Sequence, residues 1–277
     1  MEKKQFIHAL NQTSKETFAF TCNDFDVIVC IGTFPSRHDK ALLECLSTSD
    51  AAVVYLFSME DKALVEKATF FSRYEVGSEE GVLALLAKSF LLHVKIPAAL
   101  EAYFEALDEG YLSAESNVGE EEIEEIDALY QGASRVLLVL GDDVMRHARS
   151  SNIAHLAGLI ATYGKAKLYV VGAQPEDIVL VEDKGALEEI ADIKSFDGVV
   201  VYECPLNDEN EEAWLIGSTQ FQMAAKVKED ENIRILFNEE AHSRTFVHDE
   251  RLKGVIALMP CAKANGEYPY RVVKIVK

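Results

Sequence analysis

Short, almost unbroken runs of Val, Ile and Leu recur along this chain, and several stop at a glycine and give way to a helical pattern. Residues 26–31 (DVIVCI) break at Gly32-Thr33, with a helical stretch at 39–47 behind them. Residues 51–57 (AAVVYLF) precede 60–71, where Ala63, Leu64, Ala68 and Phe71 keep helical spacing. Residues 135–140 (RVLLVL) break at Gly141-Asp142-Asp143 ahead of a helical stretch at 152–163, and 167–171 (KLYVV) ends in Gly172. Runs of this length without polar alternation are the mark of strands buried on both faces. Strands alternating with helices predict βαβ units. The expected fold class is therefore α/β, a doubly wound, mostly parallel sheet with helices on both faces.

Residues 77–132 read differently. Ser78 can cap a helix whose Val82, Leu83, Leu85, Leu86, Phe90 and Leu91 share one broad apolar face. A second helix opens at Pro97 and ends at Gly110, and a third covers 119–131 with Ile123, Ile126, Leu129 and Tyr130 on one side. The chain thus divides into a first α/β half (1–76), a helical insertion (77–132) and a second α/β half (133–277). Further strands are expected at 198–202, 233–237 and 254–259, with an edge strand at 268–276.

Charge narrows the partners. Lys and Arg number 27 against 47 Asp and Glu, a formal charge of −20. Nucleic acid and anionic membranes are bound through basic patches, so neither suits this chain, whereas a basic protein partner does. No apolar run reaches the roughly 18–20 residues that span a bilayer. The five cysteines (Cys22, Cys30, Cys45, Cys204 and Cys261) are scattered without a CxxC pair, which predicts reduced thiols and no iron–sulfur centre.

Gly32-Thr33 lies where an open α/β sheet brings backbone to a ligand, and its N–H groups with the Ser36 hydroxyl could hold a phosphate. The sequence IGTFPSRHD carries neither GxGxxG nor GxxxxGK[ST], so a tight turn is the commoner meaning. Gly141 and Asp142 stand at a second such turn, where the carboxylates could take a ribose or a cation, or cap the following helix. These five residues are the cofactor-binding candidates; no catalytic or metal-ligating residue is expected. The seven histidines form no HExxH and pair with no cysteine at zinc spacing, and His242 and His248 read as loop positions. Ser218 lacks the second glycine of a nucleophile elbow, and Cys204 and Cys261, beside prolines, have no activating partner in sequence. The acidic run at 119–127 reads as a solvated helix start.

The stretch VIVCIGTFPSRHDKALLECL…AAVVYLF, followed by GSEEGVLALLAKSFL, resembles the molybdopterin oxidoreductase superfamily, in which a strand, a Gly-Thr or Gly-Ser turn and a helix precede a second strand. The segment 110–171, from GYLSAESN to KLYVV, is similar to the large iron–sulfur subunit of respiratory complex I, the NADH-quinone oxidoreductase. The likeness runs from Asp26 to Val171 and fades beyond Gly172. It implies a fold shared with that superfamily without its metal centre, because no residue here aligns with the molybdenum or tungsten ligand. Iron–sulfur clusters are expected only in a region N-terminal to this chain or in partner subunits. The function so implied is a non-catalytic structural segment of the peripheral, electron-input arm, cytoplasmic and bound to the other subunits of the complex, with no activity alone. The alternatives are an α/β enzyme binding a nucleotide or pterin at the two glycine turns, and an assembly factor.

Overall fold

The apolar runs are strands because they are covered twice. The computed structural model describes residues 3–14, 18–178, 181, 184–237, 240–262 and 266–277. Five strands, β1 (Val27–Ile31), β2 (Ala52–Leu56), β3 (Phe70–Ser72), β4 (Val136–Leu140) and β5 (Ala166–Val170), form one sheet in the order β3-β2-β1-β4-β5. Every neighbouring pair is parallel; Val27 stands opposite both Ala52 and Val136. Alternate residues face opposite layers. Val27, Val29, Ile31, Val136, Leu138 and Leu140 enter one buried cluster, while Ile28, Cys30, Leu137 and Val139 enter another.

The first layer holds α1 (Lys3–Thr13), α5 (Glu79–Leu91) and α10 (Ser150–Tyr163), with α6 (Ala98–Glu105), α7 (Glu109–Ser116) and α8 (Glu120–Gly132) outside them. The other side carries α2 (Pro35–His38), α3 (Lys40–Thr48) and α4 (Lys62–Val65), while α9 (Asp142–Arg146) follows β4. The four helices α5–α8 form the long crossover between β3 and β4. The second helix of the insertion stops before Asp108, because that carboxylate accepts the Tyr111 N–H and starts α7; Gly110 lies inside α7 rather than ending a helix.

The segment 60–71 also departs from expectation. Its helix covers only Lys62–Val65, and Phe70 and Phe71 belong to β3, where two adjacent aromatics suit a strand. Thr69 begins that pairing by exchanging bonds with Val53: its N–H donates to the Val53 carbonyl, and its Oγ1 accepts from the Val53 N–H.

Residues 133–277 do not make a second α/β half. Their first two strands, β4 and β5, complete the same sheet as β1–β3. The remainder closes into a six-stranded barrel of β6 (Val199–Pro205), β7 (Trp214–Gly217), β8 (Asn232–Phe237), β9 (Glu240–His248), β10 (Ile256–Cys261) and β11 (Tyr270–Val276). Tyr268–Val276 is accordingly no edge: β11 pairs with β6 on one side and β8 on the other. The barrel encloses Val201, Leu215, Ile233, Ile235, Phe246 and Met259, with Phe221 of α11 (Thr219–Ala225) packed among them. His242 and His248 lie in β9, not in a loop.

The barrel strands alternate too. Val200, Tyr202 and Cys204 of β6, Leu258 of β10 and Tyr270 of β11 point out of the barrel and join Ile28, Cys30, Tyr55 and Phe57 of the sheet in one buried cluster. The barrel is therefore the cover for the sheet's second face. An ion pair between Arg37 of α2 and Glu211 of the barrel, 2.5 Å long and mostly buried, crosses the same junction.

Cysteine chemistry differs from the expectation of five reduced thiols. Cys22 and Cys45, with Cα atoms 6.3 Å apart, are joined in a disulfide, within the usual span for such a bond. Their separation of 23 residues carries no motif, so only folding brings them together. Cys30, Cys204 and Cys261 are free.

Candidate functional site at the sheet–barrel junction

In an open parallel sheet the ligand crevice lies at the carboxyl ends of the strands, where the strand order reverses. Here that point is between β1 and β4, and the turns that leave them are Gly32-Thr33 and Gly141-Asp142. The two candidate turns are thus brought side by side. Gly32 takes φ +67°, and a Cβ on Gly141 would lie 2.1 Å from the Gly32 carbonyl oxygen. The glycines exist for this contact between backbones: the Gly32 carbonyl accepts the Asp143 N–H, and the Ile31 carbonyl accepts the Gly141 N–H.

The other candidates are already engaged. Thr33 is fully buried, and its carbonyl accepts the Tyr55 hydroxyl at 3.1 Å. The Ser36 N–H donates to the Asp61 carboxylate at 2.8 Å, which fills the position a phosphate would need. Asp142 pairs with Arg146, one turn along α9, at 3.3 Å.

What fills the crevice is a buried polar cluster to which both halves contribute. His38 of α2, Tyr202 of β6 and Asp143 of α9 form a chain. The Phe34 N–H donates to His38 Nδ1, leaving Nε2 facing the Tyr202 hydroxyl at 3.2 Å, and that hydroxyl donates to Asp143 Oδ1 at 2.9 Å. Burial holds the His38 pKa down to about 4, so the ring is neutral near pH 7. Asp143 is pushed far above the ordinary carboxylate range, first by burial and then by the charge of Glu79.

Glu79 opens α5 with no exposed surface, and burial raises its pKa as well. The Tyr268 hydroxyl donates to its Oε1 at 2.6 Å and accepts the Gly77 N–H, while His147 Nε2 stands 3.6 Å from its Oε2. Six buried oxygens find no hydrogen-bond partner among the described residues: Thr33 Oγ1, Ser58 Oγ, Tyr74 OH, Glu79 Oε2, Asp143 Oδ2 and Tyr270 OH.

The glycine turns are legible in the sequence and the cluster is not. Asp143 is visible there as one of two carboxylates at a glycine turn, a ribose or cation ligand or a helix cap, and Glu79 only as part of the segment GSEEGVLALLAKSFL, while Tyr74, Tyr202 and Tyr270 carry no motif. They meet because the barrel folds back on the sheet. No family model matches the sequence, and no curated protein matches it. Among solved structures, acetylene hydratase from Pelobacter acetylenicus aligns with 61% of this chain at 14% identity and a TM-score of 0.42. This chain spans 25% of the length of that one.

The arrangement does not offer a nucleophile. Cys204 is buried and its thiol is pushed up to about 12, and burial raises Cys30 further. Ser218 spends its hydroxyl on the Gly254 carbonyl and on capping α11. Among the described residues no group of three or more His, Cys, Asp or Glu is placed to hold a metal. A pterin or nucleotide does not fit the switch point, because Tyr202, Tyr270 and the paired glycine turns occupy it. An open pocket of about 340 Å³ lies alongside, lined by Gly77, His147, Arg149, Phe196, Tyr268 and Arg271. Both of its arginines are paired, Arg149 with Glu80 and Glu188, and Arg271 with Glu203 and Glu267.

Proposed function

We propose that the chain is a non-catalytic structural segment of the peripheral arm of a complex I-type NADH-quinone oxidoreductase, with a molybdopterin-oxidoreductase-like core that has given up its ligand site. The observation that carries this reading is the closed switch point, where Tyr202 and Tyr270 of the barrel stand against Asp143 in the place of a ligand. A crevice sealed by the protein's own hydrogen bonds serves cohesion rather than turnover. The helical insertion supplies a surface for a basic neighbour: residues 77–132 hold thirteen acidic side chains against two lysines. Glu101, Glu105, Glu120, Glu121, Glu124 and Glu125 on it are exposed. Complementary charge of this kind sets association rate and register more than affinity.

In this reading the protein works in the cytoplasm and reaches the membrane only through its partners. Among the described residues no helix is long and apolar enough to cross a bilayer. The test is a tagged pull-down of the full chain from its native cells in mild detergent, read by mass spectrometry. Subunits of a quinone reductase recovered in near-equal amounts are expected. Recovery of the chain alone would overturn the proposal. The small-molecule alternative keeps one foothold, the pocket beside His147 and Tyr268. Saturable thermal stabilisation by a nucleotide or pterin would favour it.

A further inference from the structure

Beside the sealed junction the open pocket of about 340 Å³ remains, and most of the polar groups in its wall are already spent. Arg149 is held by Glu80 and Glu188, and Arg271 by Glu203 and Glu267. His147 Nδ1 accepts the Arg149 N–H, and its Nε2 faces the Gly77 carbonyl at 3.1 Å. The Tyr268 hydroxyl is shared between Glu79 and Gly77. A molecule entering the pocket therefore meets these side chains as surfaces rather than as donors. The Phe196, Tyr268 and Tyr270 rings follow one another with centroids 5.8 and 5.2 Å apart, and His147 stands edge-on to Tyr268 at 5.4 Å. Such a wall suits another ring, which packs offset or edge to face at these distances.

Two charges on the rim differ from the rest. Asp192 and Lys194 line the pocket, both are exposed, and among the described residues neither forms an ion pair. Ile193 between them is anchored: its N–H donates to the Tyr111 hydroxyl, and its side chain packs on the sheet's first layer. That anchor fixes the two charges at the mouth. The Lys194 ammonium lies 5.5 Å from the Phe196 centroid, a weak contact for an exposed cation and one that leaves its charge open to a carboxylate. A simple organic anion would meet Asp192 and a simple amine would meet Lys194, so each is opposed by one rim group. A zwitterion answers both. The pocket volume stands at the small end of the range that takes organic ligands, which limits the body to one or two rings.

We propose that this pocket binds a free aromatic α-amino acid, its ammonium on Asp192, its carboxylate on Lys194 and its ring against Phe196 and Tyr268. The inference goes beyond the complex I reading and is independent of it, since a structural subunit can carry a ligand site away from its sealed switch point.

The test is equilibrium binding to the full chain near pH 7 by isothermal titration calorimetry with L-phenylalanine and L-tryptophan. Two comparison compounds are 3-phenylpropionate, which lacks the ammonium, and phenethylamine, which lacks the carboxylate. At least one amino acid is expected to saturate a single site with a dissociation constant of about 1 mM or below, and both comparison compounds to bind about tenfold more weakly or worse. Asp192→Asn and Lys194→Met alter exposed side chains outside every ion pair, so each should keep the wild-type Tm while weakening binding about tenfold. Ala191→Trp, which fills the pocket from an exposed position, should abolish binding. No saturable heat with either amino acid, a comparison compound that binds equally well, or unchanged affinity in either charge variant or in Ala191→Trp would overturn the proposal.

Discussion

Asp143 is the residue on which the junction turns, and its titration can be read from outside. A carboxyl whose acid form the fold favours contributes stability below its unfolded pKa of about 4 and loses that contribution as pH rises toward its folded value. His38 acts in the opposite sense, because a ring held neutral by burial contributes above about 6.5 and loses its contribution as pH falls toward about 4. Subtracting Asp143→Asn from the wild type removes the histidine, which both proteins share. Urea melts should show the wild type losing stability relative to Asp143→Asn as pH rises from about 5 to about 8. A difference that stays flat would mean that Asp143 ionises like an exposed carboxyl. Nothing local in the chain warns of this behaviour: beside Gly141, an aspartate reads as turn chemistry or as a ribose or cation ligand until Tyr202 and Tyr270 are known to cover it.

At the scale of elements, the strands are the legible part and the irregular chain the illegible part. Runs such as VIVCI and VLLVL announce two buried faces, and β1 and β4 have them. Barrel strands are harder: β7 is four residues long, and β9, with its polar sequence EAHSRTFVH, reads as loop because one side of it faces solvent. The stretch 184–198 has no regular structure, yet it is tightly held from below. Asn152 of α10 grips Glu188 by both its N–H and its carbonyl, at 2.8 and 3.1 Å. Tyr103 donates to the same carbonyl, Tyr111 accepts the Ile193 N–H, and Arg149 donates to the Glu189 carbonyl. Side chains here supply the partners that a strand would find in a sheet. Asn152→Ala removes two of those bonds and one to Glu80, so it should lower stability by about 2 kcal/mol. It should also speed cleavage by a nonspecific protease within 184–198 while the barrel stays intact. Unaltered cleavage would show that the Asn152 bonds do not hold the strap, and that Tyr103, Tyr111 and Arg149 keep it in place together with the apolar Leu187, Ile190 and Ile193.

For the whole molecule, the question is whether sheet and barrel are two domains or one. Composition and length allow either, and a division at residue 133 follows only if parallel strands continue to the end of the chain. What decides it is the face that β6, β10 and β11 turn outward, which no local pattern distinguishes from an ordinary buried strand. Ile28, Cys30, Tyr55 and Phe57 share one buried cluster with Tyr202, Leu258 and Tyr270 of the barrel and with Leu42, Leu46 and Leu64 of the short helices beside them. Pulling the halves apart would expose that cluster and strand the Arg37–Glu211 pair, so neither half can melt while the other stays folded. The protein carries its own reporters for this. Trp214, the only tryptophan, sits in the barrel strand β7, whereas ten of the eleven α-helices among the described residues lie in the sheet half. Denaturant curves followed by tryptophan fluorescence and by helical circular dichroism should therefore coincide in midpoint and slope. Tyr202→Ala should shift both curves together by about 3 kcal/mol, because the lost ring belongs to both halves. Separate midpoints, or a shift confined to the fluorescence curve, would mean that the barrel is an appended domain. The closed switch point would then be a contact between neighbours rather than the centre of a single core.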